Sequence, residues 1–301
     1  MVGANDTLVL MDTRRAYLLL VVVIVFWAGN YPLGKLGLQD LGPLTLTGAR
    51  TLLAAPLLIL VARLTAPLPR ALARDDYAAF LVLGLSGLVA NTTVWYLGLK
   101  HTTALNAGIV GASSPIFVGV AAALVLGDRL SRRNWLGIGL SVLAVLVTVA
   151  KGSPAVLFRL EANRGDLLIL ASQSAWVVYS LYSRAVGGHA AAGVGHGRCQ
   201  RGGGIVLVPL ALLVDRPWEH WRAWHGWLVV LYGAVPITLG HLWFYQVIRV
   251  LGAGPTVTFL NLMPFAVLAL SWLLLDETVH VYHLAGAVLV AAGVYLATRP
   301  T

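Results

Sequence analysis

Charge is what this chain has least of. Only 11% of its 301 residues are charged against 58% hydrophobic, and the mean hydropathy is +0.81. A soluble domain carries about 25% charged residues, so a water-facing polar shell cannot be built from this composition. Cysteine is nearly absent. Cys199 stands alone, which excludes an internal disulfide and any CxxC or Cys/His metal cage. The eight histidines are scattered and form no HExxH pair. Carboxylates are scarce as well: none of the twelve Asp and Glu falls in the middle of an apolar run. Exchange of cationic drugs for protons commonly needs an intramembrane acid that binds cation and proton in turn, so that activity is disfavoured.

What is present is one apolar run after another. Spans are expected at about 15–37, 43–64, 76–99, 103–126, 132–151, 165–186, 192–214, 226–249, 254–275 and 281–298. A crossing takes about 20 residues, so ten leave no room for a separate soluble domain. The first run follows Arg14 and Arg15 but is too long for a signal peptide's core and lacks an A-x-A site, so it reads as an uncleaved span. The net charge of +9 would suggest nucleic acid in a soluble protein. Here the basic residues punctuate apolar runs without base-stacking aromatics, so no nucleic-acid partner is expected. With the N-terminus in the cytoplasm, thirteen Lys and Arg lie inside and seven outside, with Arg50 left within a span. That asymmetry places both termini in the cytoplasm. The expected fold class is an all-α membrane protein of ten transmembrane helices.

A shift of 149 residues superposes landmarks without a gap. Trp27 meets Trp176, Lys35 meets Arg184, Gly84 meets Gly233, and Tyr96 meets Tyr245. Lys100 meets Arg249, Pro115 meets Pro264, Asp128 meets Glu277, and Gly137 meets Gly286. The chain therefore reads as two halves, 1–151 and 152–301, each of five spans. An odd number of spans inserts the second half upside down, giving a 5+5 inverted-topology repeat. Secondary transporters use that architecture with the substrate near the bilayer midplane between the repeats.

Polar and aromatic residues inside the spans mark the candidate pathway. Asn91, Thr92, Trp95 and Tyr96 share one helical face of the third span. The same face of the eighth reads Gly240, His241, Phe244 and Tyr245. Such a stripe faces the bundle interior or a wet cavity; it serves either as a pathway wall or as interhelical glue. Trp27, Asn30 and Tyr31 in the first span and Gln173, Trp176, Tyr179 and Tyr182 in the sixth are further wall candidates. Pro115 and Pro264 sit near the centres of the fourth and ninth spans, with Ser113, Ser114 and Asn261 beside them. They predict kinks that free carbonyls for a substrate. Arg50, about 10 Å along the second span at 1.5 Å per residue, reads as structural, with carboxylate binding as the other option. Gly137, Gly139, Gly286 and Gly293 suit close packing of the fifth and tenth spans, or a dimer contact; a monomer is the expectation.

The segments VFWAGNYPLGK (25–35), PLTLTGARTLLAAPL (43–57) and LNAGIVGASSPIFVGVAAALVLGDRLS (105–131), echoed by GPTVTFLNLMPFAVLALSWLLLDETVH (254–280), resemble the drug/metabolite transporter superfamily. The resemblance is to its ten-helix EamA-type branch, and within it to YddG-type amino-acid exporters. It covers nearly the whole chain and includes the acidic residue closing the fourth and ninth spans, Asp128 and Glu277. It implies a cofactor-free carrier, not an enzyme, in the cell inner membrane, contacting lipid and a small-molecule substrate. Export of small neutral or zwitterionic metabolites, amino acids including aromatic ones, is the expected activity. A nucleotide-sugar or other metabolite carrier is the alternative, and it would want more basic residues in the cavity than Arg50 alone. An integral-membrane enzyme would need an acid, base, nucleophile or metal cluster at depth, and none is visible. One stretch breaks the pattern. Residues 187–204, GGHAAAGVGHGRCQRGGG, stand where the seventh span should begin, as a flexible loop, polar groups hidden in the bundle, or a shifted reading frame.

Overall fold

The computed structural model describes residues 12–65, 81–127, 130–153, 155, 163–185, 207, 209–220 and 222–298. Among them the structure is all helical, with no strand. The helices are α1 (Thr13–Asp40), α2 (Pro43–Thr65), α3 (Leu81–His101), α4 (Ala104–Leu126) and α5 (Arg132–Val149). In the second half come α6 (Arg164–Ala185), α7 (Trp224–Leu251), α8 (Ala253–Phe259 continuing through Met263–Leu275) and α9 (Val281–Thr298). Five of these, α1, α3, α4, α5 and α7, are long and apolar enough to cross a bilayer, so the chain is a multi-pass membrane protein. The 187–204 stretch, with His196, Arg198 and Cys199, lies outside the described residues, as do Asp128 and most of the expected seventh span.

Local structure repeats at the same offset as the sequence. Ser114–Leu126 and Met263–Leu275 are both 13-residue helices, and Arg132–Val149 and Val281–Thr298 are both 18 residues long. The residues before the first pair, Ser113 and Leu262, share φ −77°. The residues after it, Gly127 and Asp276, are both left-handed, at φ 75° and 51°. Such a residue closes a helix by turning its amide back onto the last turn. Glycine takes that conformation freely, whereas aspartate does so at a modest cost.

The prolines break their helices where a bend is expected, and each break is repaired locally. Pro115 has no N–H for the Gly111 carbonyl, and the Ser114 hydroxyl supplies a donor instead, 2.7 Å away. Ser113 does the same for Val110 at 2.6 Å. At the second site the backbone tightens into a 3₁₀ turn over Leu260–Leu262, and Met263 N–H reaches the Leu260 carbonyl left by Pro264. Each of these carbonyls therefore accepts a hydrogen bond from the chain itself. Sequence reading did not foresee that α3 widens into a π-helix over Gly84–Thr92, or that α7 breaks at Val235 before Pro236. Shifted by 149, those two irregularities coincide.

Packing pairs the halves crosswise. The first helix of the chain, α1, lies against α7 and α8, while α6, its counterpart, lies against α3 and α4. The most extensive contact joins α5 to α9, the last helices of each half. Glycines set that seam. A Cβ on Gly137 would strike the Gly293 carbonyl, and one on Gly293 would meet the Gly137 carbonyl at 2.6 Å. Gly286 fits against Thr148 and Ile109. Gly139 faces open space and takes no part, contrary to the expectation for it.

At one end of the bundle, carboxylates of one half cap helices of the other. Glu277, after α8, accepts from Ala104 N–H (2.8 Å) and Leu105 N–H (3.0 Å) at the start of α4. Asp40, ending α1, accepts from Gly226 N–H at the start of α7 (2.9 Å). Asp215 accepts from Thr45 N–H at the start of α2 (2.7 Å). Lys35 donates to the Leu99 carbonyl (2.8 Å) and the Thr102 carbonyl at the end of α3. Each charge matches the sign of the helix terminus it meets. Behind them the fully buried Asp166 accepts from Thr102 Oγ1 and from Asn106 Nδ2 at 3.1 Å. His283 Nδ1 accepts from His280 N–H, so its Nε2–H donates to Asn106 Oδ1 at 3.1 Å.

Two measurements test this framework. Gly293→Val has no room against the Gly137 backbone and should destabilise the detergent-solubilised protein by about 1–3 kcal/mol, while Gly139→Val leaves the thermal midpoint unchanged. Glu277→Ala removes its two bonds to the start of α4, leaving the Thr103 cap, and should cost about 1 kcal/mol in the same melt, with Glu277→Gln losing less.

Candidate functional site

The aromatic residues singled out in the sequence fall into connected groups along α1, α3, α6 and α7. Trp27 and Tyr31 lie one turn apart on one face of α1. The Trp27 ring sits 4.8 Å from His241 and 5.1 Å from Phe244, both on α7. Gly240 is the small residue that admits it: a Cβ there would stand 2.8 Å from Trp27 Nε1. That nitrogen is buried and has no hydrogen-bond partner among the described residues. His241 Nδ1 lies 2.7 Å from the Ile237 carbonyl. A carbonyl only accepts, so Nδ1 carries the proton.

One turn along α1, Tyr31 packs edge-on to Trp95 (5.1 Å, 78°), which packs edge-on to Tyr96 (5.0 Å, 75°). All three rings are buried. The Tyr96 hydroxyl accepts from Arg50 Nη1 at 3.3 Å. Arg50 therefore joins the group that sequence reading set it apart from, and its position is the main addition the structure makes. The clue was available: a cation well inside an apolar run needs a polar partner within the bundle.

A third group gathers around α6. Trp176 and Tyr179 stack at 5.1 Å and 25°. Tyr179 fits against Gly87, where a Cβ would lie 2.5 Å from its ring. Asn91 donates to the Ser172 carbonyl across the α3–α6 contact at 2.8 Å. Ser114 touches the Gln173 side chain across the α4–α6 contact. Asn91 and Ser114 thus each make one interhelical hydrogen bond.

The remaining candidates are less closely joined. Asn30 is half-buried on α1, Ser113 is buried at the α4 break, and Asn261 lies in the 3₁₀ turn of α8. Pro264 is buried whereas Pro115 is exposed. The side chain of Tyr245 lies outside the described residues. Sequence reading missed the buried Asp166–Asn106–His283 set. Its only signal was a polar residue in the first turn of each of three apolar helices. A shallow cleft lined by Trp272, Asp276, Glu277, Thr278 and Val279 opens at the α8–α9 turn, away from the aromatic groups.

Three groups of aromatic rings thus lie between helices that pair crosswise from two similar halves. An "Uncharacterized transporter" of Bacillus subtilis is 25% identical over 290 residues, 96% of this chain and 95% of its own length. A protein of Salmonella typhimurium named "Probable amino-acid metabolite efflux pump" is 27% identical over 302 residues, 95% of each chain. One solved crystal structure shares the fold, with a TM-score of 0.63 at 18% identity, covering 95% of this chain and 97% of its own. The EamA-like transporter family matches twice, over residues 14–150 and 163–299. Both limits differ by the 149 residues that separate the sequence landmarks, and the chain belongs to the EamA-like transporter family.

Proposed function

We propose that this transporter exports small neutral or zwitterionic metabolites, amino acids including aromatic ones, across the cell inner membrane by alternating access. The carrying observation is the crosswise pairing: α1 packs on α7 and α8, and α6 packs on α3 and α4. Two like halves in exchanged positions give two related packings of one bundle, and switching between them moves the opening from one face to the other. On this reading residues 1–151 and 152–301 are five-helix repeats of opposite orientation, and both termini are cytoplasmic. The protein works as a monomer.

The substrate lies along the aromatic rows. Trp27, Tyr31, Trp95, Tyr96, Trp176, Tyr179 and Tyr245 supply apolar faces, and Asn30, Asn91, Ser113, Ser114, His241 and Asn261 supply polar contacts. Pro115 and Pro264 allow the fourth and ninth spans to bend. The Salmonella relative's name points to amino-acid metabolites, and the aromatic lining suits their apolar side chains. A nucleotide-sugar cargo would need several cations for its phosphates, and Arg50 alone does not meet that need.

Purified protein in liposomes should show saturable flux of labelled tryptophan or phenylalanine. Trp176→Ala or His241→Ala should lower that flux roughly tenfold at sub-saturating substrate, the loss typical of a central aromatic contact. Absence of saturable flux across a panel of amino acids overturns the reading. Orientation is checked separately. A fluorescent reporter that folds only in the cytoplasm should light up when fused after Thr301 and stay dark when the chain is ended after His101.

A further inference from the structure

Arg50 carries a full positive charge about 10 Å along α2, and its surroundings fix where that charge points. Its Nη1 donates to the Tyr96 hydroxyl at 3.3 Å, and Tyr96 is only 1% exposed. On the other side lies Gly233 of α7, where a Cβ would stand 3.3 Å from Arg50 Cδ and 3.4 Å from Nε. Gly233 is nine residues into α7, about 13 Å from its start. The side chain therefore runs inward between α3 and α7 and does not snorkel to the headgroups.

A charge at such depth costs about 2.5–3.5 kcal/mol on insertion scales, and proteins ordinarily offset it with an opposite charge. Among the described residues no carboxylate lies within ion-pair distance of this guanidinium; its partner is a neutral hydroxyl. The neighbourhood is rich in donors. Arg50 offers a fork of five N–H groups shaped for a carboxylate, and beside Gly240 of α7 the buried Trp27 Nε1–H of α1 has no acceptor among the described residues. Gly233 and Gly240 lie seven residues apart on α7, one on each side of its break at Val235, and make the room for Arg50 and Trp27 respectively. The aromatic wall from Trp27 to Tyr96 thus has a cation at one end and apolar rings at the other.

We propose that Arg50, oriented by Tyr96, is the carboxylate-binding residue of the transport site. The cargo is then an organic carboxylate, with its –COO⁻ on the guanidinium and its apolar or aromatic body along Trp27 and Phe244. The inference rests on the export reading above and adds to it the group by which the cargo is recognised. A merely structural Arg50 would stabilise the fold equally whatever the ligand.

The test compares four probes on the detergent-purified protein: phenylalanine, phenylalaninamide, phenylacetate and phenethylamine. Binding is read by thermal shift and by displacement of a labelled probe. Phenylalanine and phenylacetate should bind at least about tenfold more tightly than the amide and the amine, as expected when a charge-assisted pair is lost. Arg50→Gln should erase that preference without weakening the amide further, and Arg50→Lys should keep part of it. If Arg50→Gln fails to fold, the acid-to-amide ratio in the wild type and in Arg50→Lys decides. Equal binding of acid and amide by the wild type overturns the proposal, as does binding of none of the four. Saturable amino-acid flux with acid and amide carried alike in wild type and Arg50→Gln leaves export standing and removes Arg50 from it. Arg50-dependent binding of phenylacetate without flux of any amino acid leaves the carboxylate site standing and removes amino-acid export.

Discussion

Within a bilayer there is no water to take up a stray backbone amide or carbonyl, and each one left unpaired costs several kcal/mol. This chain interrupts its helices at membrane depth and brings several helix ends together inside the bundle, so its architecture follows from how those groups are satisfied. Two solutions recur. Where a proline removes an N–H, a neighbouring serine hydroxyl or a tightened backbone turn fills the gap, as Ser114 does for Gly111 and Met263 does for Leu260. Where α2, α4 and α7 begin, a carboxylate from the other half caps the helix: Asp215 on α2, Glu277 on α4, Asp40 on α7.

The second solution explains where the few carboxylates went. A chain with only twelve Asp and Glu sets at least three of them on helix N-termini, where the aligned peptide dipoles favour a negative charge, and buries a fourth, Asp166, among donors. None of these is left to balance Arg50. Capping across the halves also makes this end of the bundle cohesive: breaking it exposes the first amides of α2, α4 and α7 together. Alternating access, on the proposed mechanism, has to open that end as one unit, which favours two well-separated states over gradual loosening.

Much of this was legible in the sequence. Apolar runs placed the described helices to within a few residues, since a 20-residue apolar stretch has few other uses. The 149-residue shift found the duplication because Trp, Pro and Tyr are rare enough for coincidence to carry weight. The aromatic stripe on the third span was readable from its helical spacing, and Trp95 and Tyr96 are buried together as that spacing implies. Less legible was whatever depends on a partner distant in the chain. The serine repair of Pro115, the tie from Asn91 to Ser172 and the destination of Glu277 are contacts between segments 81 to 173 residues apart, or local choices among several donors. Periodicity shows which face of a helix is polar, but not what meets it. The π-helix over Gly84–Thr92 left no composition signal.

The two kinds of helix contact set different limits on motion. Across α5 and α9 the backbones touch through Gly137 and Gly293, so near that neither can slide along the other without collision. Small-residue seams of this kind hold by close fit, and a close fit tolerates little displacement. Between α1 and α7 the contact is made by rings, Trp27 on His241 and Phe244, and Phe26 on Trp243. Contacts between side chains can repack by a change of rotamer, which a backbone-to-backbone contact cannot do. If the halves exchange conformations as proposed, α5 and α9 are then the fixed seam about which the others rock. On the same proposal, the ring-lined interfaces, which carry the candidate site, are the surfaces that move.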